Sequence, residues 1–238
     1  MHYIKIIFLE ILWRPLFNGL VFFYTILPWH DLGVAIILLT LGIRFILAPL
    51  MGKARKAQHD LAKIQPEIKK IQEKFKDNKE AQSKALMEFY ATHKVNPFSG
   101  CLLMLIQLPI LLALFNVFRT GFDPKQLIYL YSFIPNPGTL HTIAFGVIDL
   151  AKGNMVLGGI AAITQYYQTK MTLHLTSPHE GNKDDFTQAL QWQSLYLFPA
   201  LIFAWSYSLP SALTLYWTVL NLFGILQEVV ERRRRKSI

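Results

Sequence analysis

The chain has 238 residues, 53% of them hydrophobic, including 17 Phe, with a formal net charge of +9. Its apolar residues come in long blocks with few charges instead of at the periods of half-buried elements, which excludes an ordinary soluble domain. No run of short alternating strands points to a closed barrel, and one cysteine, Cys101, allows no disulfide within the chain. The predicted class is all-α integral membrane.

Taken in chain order, residues 4–27 are apolar and aromatic but broken by Glu10, Arg14-Pro15 and Asn18. Ile4, Ile7, Phe8, Ile11 and Leu12 share a face, which predicts an amphipathic helix lying in the membrane interface over residues 1–30, with a further span as the alternative. Glu10 and Arg14 interrupt the stretch and no small-residue cleavage site follows, so it does not read as a signal peptide. Residues 31–52 form the first predicted span, Leu32 to Met51, with one charge, Arg44, inside it. At Gly52 the composition changes. Residues 53–96 hold nearly half of the basic side chains, and Leu61, Ile64, Ile68, Ile71 and Phe75 recur at three and four. With a turn at Lys76-Asp77-Asn78-Lys79 and a returning face of Leu86, Phe89 and Tyr90, this predicts a basic helical hairpin in water. Pro66 should kink its first arm or start it afresh.

The second span is expected over 97–119, then an external loop region over 120–154 with Pro124, Pro135 and Pro137. A third span over 155–174 and a hydrophilic loop over 175–191 follow. The fourth and fifth spans, 192–208 and 209–230, are separated only by Ser208-Leu209-Pro210-Ser211 and should form a tight hairpin. A basic tail, 231–238, ends the chain. Five spans put the amino terminus outside and place the hairpin, the loop at Lys183 and the tail in the cytoplasm, as the distribution of Lys and Arg requires.

Arg44 is the most informative single residue. A guanidinium at mid-membrane costs about 2.5–3.5 kcal/mol on insertion scales, so it must reach water or partners. It either snorkels to the cytoplasmic edge near Met51 or faces an aqueous cavity within the bundle. The second reading is favoured because no acid in the spans is an obvious partner; Asp149 and Glu228 lie near span ends. Thr40 sits one turn away on the same face. Gln107, the stripe Gln165, Gln168 and Thr172, and the stripe Thr214, Trp217 and Asn221 could line the same cavity, or could each be an interhelical hydrogen bond. No GxxxxGK[ST] is present for a nucleotide, and neither HExxH nor GxSxG occurs. No enzyme chemistry, metal or cofactor is expected, and Cys101 reads as an apolar filler.

The ordered strings AIILLTLGIRFILAPL, IQPEIKKIQEKFKDNKE, NPFSGCLLMLIQLPILLALF and LPSALTLYWTVLNLFGILQ resemble the bacterial YidC membrane-protein insertases, of the YidC/Oxa/Alb family, from about Trp13 to the tail. The resemblance implies five spans around a hydrophilic groove that is closed outside and open to cytoplasm and lipid. It also implies a bacterial plasma membrane location, and roles for particular residues. Arg44 matches the groove arginine and Trp217 the aromatic position facing substrate. Gln107 matches the motif glutamine, and Gln165 or Gln168 the polar position of the third span, with Gln165 favoured. Two departures stand out: there is no room for the large periplasmic domain of many relatives, and the tail is short for tight ribosome binding. The implied partners are nascent membrane proteins, the Sec translocon, the signal recognition machinery, the ribosome and anionic lipids. A non-catalytic assembly chaperone is the alternative, and an anion transporter a more distant one.

Overall fold

The computed structural model describes residues 6, 8–93, 95–96, 99–176 and 185–236, and they are mostly helical. A π-helical turn, Leu9–Trp13, leads into α1, Arg14–Ile26. Pro15 stands just after the π turn, in a backbone that stays helical through Trp13 and Arg14. The carboxylate of Asp31 then accepts the Val34 N–H at 3.0 Å and starts α2, Leu32–Lys63. This helix passes through Pro49 and Gly52 without ending. The compositional break at Gly52 is therefore not a structural one: the first span and the first basic turns are a single rod. That rod ends at Ile64, and α3, Gln65–Lys74, starts afresh with Pro66 in its first turn.

A turn over residues 75–78 leads to α4, Lys79–Thr92, whose first turn is capped by Asn78 accepting from Ala81 N–H at 3.0 Å. The hairpin closes on Ile68, which is buried, and on the Gln82 side-chain amide, which donates to Gln72 O at 2.7 Å. Next comes α5, Ser99–Thr120. The segment after it, expected only as a loop, carries a 3₁₀ turn, Pro124–Tyr129, and a short antiparallel hairpin of β1, Ile143–Ala144, and β2, Ile148–Asp149. Then follow α6, Met155–Thr176, and α7, Asp185–Trp192. A second π-helical turn, Gln193–Leu197, joins α7 to α8, Phe198–Trp205. The last helix, α9, runs Ser211–Lys236 and takes in most of the residues expected as a tail. The predicted loop of 175–191 is narrower than expected, since α6 and α7 enter it from both sides; its centre, 177–184, lies outside the described residues, as do 1–5 and 7 of the amino-terminal stretch.

Among the described residues, two helices are long and apolar enough to cross a bilayer: Leu32–Ala57, with mean hydropathy 2.3, and Ser211–Arg233, with 1.4. In the bundle α9 packs on α6 and α2, α6 on α8, and α2 on α1 and α5. The core sits at one end. It is built from Phe17, Leu20 and Tyr24 of α1, Leu32 and Ile36 of α2, Leu114 and Phe118 of α5, and Leu213 and Tyr216 of α9. These are the first turns of α2 and α9 and the last of α5, roofed by Leu127, Leu140, Ala144 and Leu150 of the intervening segment. Buried Asn18 clips the roof to α1: its amide donates to Arg14 O and Tyr129 O at 2.8 and 3.1 Å, and its oxygen accepts Tyr131 N–H at 2.6 Å. Helices α6 and α8 meet closely at Gly158, where a Cβ would overlap the Ser206 side chain.

Candidate functional site

Below the core the same helices part around a cavity of about 620 Å³. Each helix contributes the turns that follow, or for α5 precede, its core residues. Helix α2 gives Arg44, Met51 and Arg55, which share a face because 11 residues make three turns. Helix α5 gives Gln107, α6 gives Gln165, Gln168, Thr169 and Thr172, and α9 gives Trp217, Asn221, Gln227 and Glu228. The fourth helical run adds Gln193, Ser194, Leu197 and Phe198 from its π-helical turn and the residue after it. A π turn widens the backbone and re-aims the side chains it carries, and such turns recur at functional sites.

The wall is ordered by hydrogen bonds that cross between helices. The Trp217 indole N–H donates to Gln165 Oε1 at 2.9 Å, and the Gln165 amide donates onward to Thr169 Oγ1 at 2.9 Å. The Asn221 amide reaches Thr164 Oγ1 and Ala161 O at 3.3 and 3.4 Å. On the other side the Gln107 amide donates to the Tyr216 hydroxyl at 2.6 Å. Phe198 lies against the Trp217 ring, with centroids 5.6 Å apart. Most of these amides thus both line the cavity and tie the bundle, so the two readings of each residue are compatible.

Arg44 is different. Its Nε is buried and has no hydrogen-bond partner, and among the described residues the side chain makes no ion pair. Its guanidinium lies 5.9 Å from the centre of the Phe223 ring, a cation–π distance. The other cation of the wall, Arg55, is spoken for: it pairs with Glu231 at 3.2 Å and donates to Gln227 Oε1 at 2.8 Å. Glu228 is likewise bound to Arg232 at 3.0 Å, and Arg232 also donates to Met171 O at 3.0 Å. The charges at the far end of the cavity therefore fasten α2 and α6 to α9, and the uncommitted charge is deeper, at Arg44.

Of the nine residues singled out from sequence, seven line this one cavity: Arg44, Gln107, Gln165, Gln168, Thr172, Trp217 and Asn221. Thr214 is buried above it and donates to Ser211 O at 2.9 Å. Thr40 does not reach the cavity either. It is buried in the packed end, where its hydroxyl donates to Ile36 O at 2.6 Å, the back-bond a helical threonine makes when no outside partner competes. Arg55, Thr169, Gln193, Ser194 and Gln227 went unnoticed in the sequence, and Glu228 was noticed only as an acid near a span end. The first is masked by its setting among surface lysines, and the rest by lying towards span ends. For Arg55 there was a signal: it lies 11 residues after Arg44, a whole number of turns. The side chain of Cys101, expected to be an inert filler, lies outside the described ones.

Apolar helices of spanning length around a polar cavity with an uncommitted arginine define a helical membrane protein. The model of one family, described as 60Kd inner membrane protein, matches residues 22–237. The chain belongs to that family, the YidC family. It is 33% identical over 198 residues to a protein of Fusobacterium nucleatum subsp. nucleatum named membrane protein insertase YidC, covering 83% of this chain and 84% of the relative. A protein of the same name from Geobacter metallireducens is 31% identical over 217 residues, which is 90% of this chain but 35% of that one. Among solved structures, a crystal structure of an active YidC insertase with the first transmembrane domain resolved aligns with a TM-score of 0.58 at 32% identity. It covers 92% of this chain and 46% of that chain. The chain thus spans most of the Fusobacterium relative and about a third of the Geobacter one.

Proposed function

We propose that this protein is a membrane protein insertase of the bacterial inner membrane, acting without a cofactor or nucleotide. In this reading α2, α5, α6, the run from α7 through α8, and α9 are five spans. Helices α5 and α6 have 22 residues each, about 33 Å at 1.5 Å per residue, enough for a hydrocarbon core of about 30 Å. The amino terminus is then outside, and the basic hairpin and the end of α9 are cytoplasmic.

The observation that carries the proposal is the cavity bearing an unpaired Arg44 halfway along helices otherwise apolar enough to cross lipid. A hydrated hollow at that depth shortens the apolar distance that the polar flank of an incoming segment must cross, and each polar group spared from hydrocarbon saves free energy. Arg44 attracts carboxylates of the translocating flank, and low local dielectric strengthens that attraction. The apolar part of the substrate slides sideways into lipid past Trp217 and Phe198, and burial of its surface completes the transfer. Its partners are nascent membrane proteins. The Sec translocon, signal recognition machinery, ribosome and anionic lipids are candidate partners of the basic hairpin.

The test is insertion of a small one- or two-span substrate into liposomes that contain only this protein, scored by protease protection. The reading predicts protection above that of empty liposomes. Arg44→Ala should lower it by on the order of tenfold for a substrate with an acidic flank, the worth of one charge-assisted hydrogen bond. No protection by well-folded protein would favour an assembly chaperone that holds membrane subunits without inserting them.

A further inference from the structure

The 23 residues from Gln126 to Ile148 contain no Lys, Arg, Asp or Glu. Loops that meet water are ordinarily polar, and this one is not made apolar by being wholly buried. Leu127, Ile134, Leu140 and Ala144 turn inward to roof the core, while Ile128, Phe133 and Val147 turn outward with exposures of 79, 74 and 81%. Single exposed apolar residues are common, but several in one chargeless stretch call for a partner.

Two sets of hydrogen bonds fix the level of this patch. The hairpin tip is held to the first turn of α2, since Phe145 N–H donates to Asp31 Oδ2 at 2.6 Å while the other oxygen of Asp31 accepts from Val34. After β2, Leu150 O accepts Ala212 N–H at 3.0 Å and Lys152 O accepts Ser211 N–H at 2.9 Å, which ties the chain to the first turn of α9. The hairpin therefore lies where both candidate spans begin, and the segment around Ile128 is held beside it to Asn18 of α1 through Tyr129 O and Tyr131 N–H.

We propose that the hairpin Ile143–Asp149 and the segment Ile128–Phe133 are seated in lipid, in the headgroup–acyl boundary of the leaflet on that side, with Val147, Ile128 and Phe133 among the acyl chains. The proposal rests on the reading of α2 and α9 as spans. Lipid is the fitting occupant because the hairpin is tied to the first turns of both spans and the exposed side chains of the patch carry no charge. Charges return at its edges, at Lys125 on one side and at Asp149 and Lys152 on the other. The backbone is ready for that layer. The three-residue loop from Phe145 to Val147 is closed by Val147 N–H on Ala144 O at 3.1 Å, with Phe145 and Gly146 at φ of 51° and 72°. A phenylalanine seldom takes that conformation; here its ring lies over Gly33, leaving no room for a Cβ there, and stays about half exposed.

The experiment places an environment-sensitive fluorophore at Val147→Cys, and separately at Ile128→Cys, in the full chain carrying Cys101→Ser. The protein is reconstituted in phosphatidylcholine vesicles with and without lipids bearing a nitroxide at a shallow acyl position. Lys125→Cys reports water, and Ile46→Cys, exposed at mid-α2, reports the spanning reading. Blue-shifted emission at both patch positions, quenched by the nitroxide and several-fold less quenched by iodide than at Lys125→Cys, is the expected result. Iodide quenching equal to that at Lys125→Cys, with Ile46→Cys still protected, would overturn this proposal alone. Protection from both quenchers would assign the patch to a second copy of the chain. Loss of lipid protection at Ile46→Cys would instead remove the spanning reading.

Discussion

The two ends of the bundle are built from the same helices yet differ in what lies between them. At the roofed end α2, α5 and α9 are joined by side chains with almost no exposure, among them Phe17, Ile36, Leu114 and Tyr216. One to three turns along, the same helices enclose a cavity of about 620 Å³ lined by amides, hydroxyls and Arg44. Close-packed interiors hold few voids larger than a water, so the hollow end is a feature the sequence maintains, and the packed end supplies the rigidity that keeps it open. The boundary between the two is sharp on α2. Thr40 bonds its own backbone on the dry side, and Arg44, one turn on, has an unsatisfied Nε on the other.

This contrast can be broken most forcefully at the packed end. Phe17→Ala removes a ring with no exposure and should cost about 3–5 kcal/mol, whereas Leu201→Ala in the cavity wall should cost under about 1 kcal/mol. Unfolding in detergent, followed by circular dichroism, compares them; equal losses would mean the two ends are packed alike. The next largest effect is expected at Asn18→Ala, which strands the Tyr131 N–H at about 1–3 kcal/mol, while the Tyr129 carbonyl keeps the Arg14 Nε–H at 3.2 Å. Hydrogen exchange should show the roof loosening while α6 stays protected.

At the open end, Arg55 and Glu231 fasten α2 to α9. A double-mutant cycle of Arg55→Ala with Glu231→Ala should return a coupling of roughly 0.5–1 kcal/mol, since the pair is only partly shielded. The smallest effect is electrostatic and belongs to the roof. Partial burial of the Asp149 carboxyl opposes ionisation, but the hydrogen bonds from Lys152, Thr142 and the Ala151 N–H, with the charge of Lys152, outweigh it and hold its pKa below the ordinary carboxylate range. A depressed carboxylate contributes stability that is full above its unfolded value of about 3.9 and is lost as pH falls through the folded one. Acid titration should therefore loosen the hairpin in the wild-type chain below about pH 4, and Asp149→Asn should remove that step; an unchanged titration would sever the link.

Much of this arrangement was legible in the sequence because long apolar blocks with isolated polar residues leave few choices. Arg44, the α6 glutamines and the Trp217–Asn221 stripe are each too costly in lipid to face outward, so they converge. What was hidden depended on continuity. Nothing in the composition says that α2 continues through Pro49 and Gly52, yet that continuity carries Arg55 to the cavity. Nor does a hydropathy pattern announce a π-helical turn, which brings Gln193 and Ser194 to the wall. The hairpin of β1 and β2 escaped because two-residue strands leave no alternation to read. Thr40 was misplaced because face alone was read, and a threonine can satisfy itself within its own helix.

The most direct test of a water-filled hollow reached from one end only is the reactivity of a cysteine at Gln168 in sealed vesicles, with Cys101→Ser, toward a membrane-impermeant maleimide. Such a reagent needs a thiolate in contact with water. The account predicts rapid labelling from the side that bears the basic hairpin, with little from the roofed side. Labelling from neither side, or faster labelling through the roof, would contradict it.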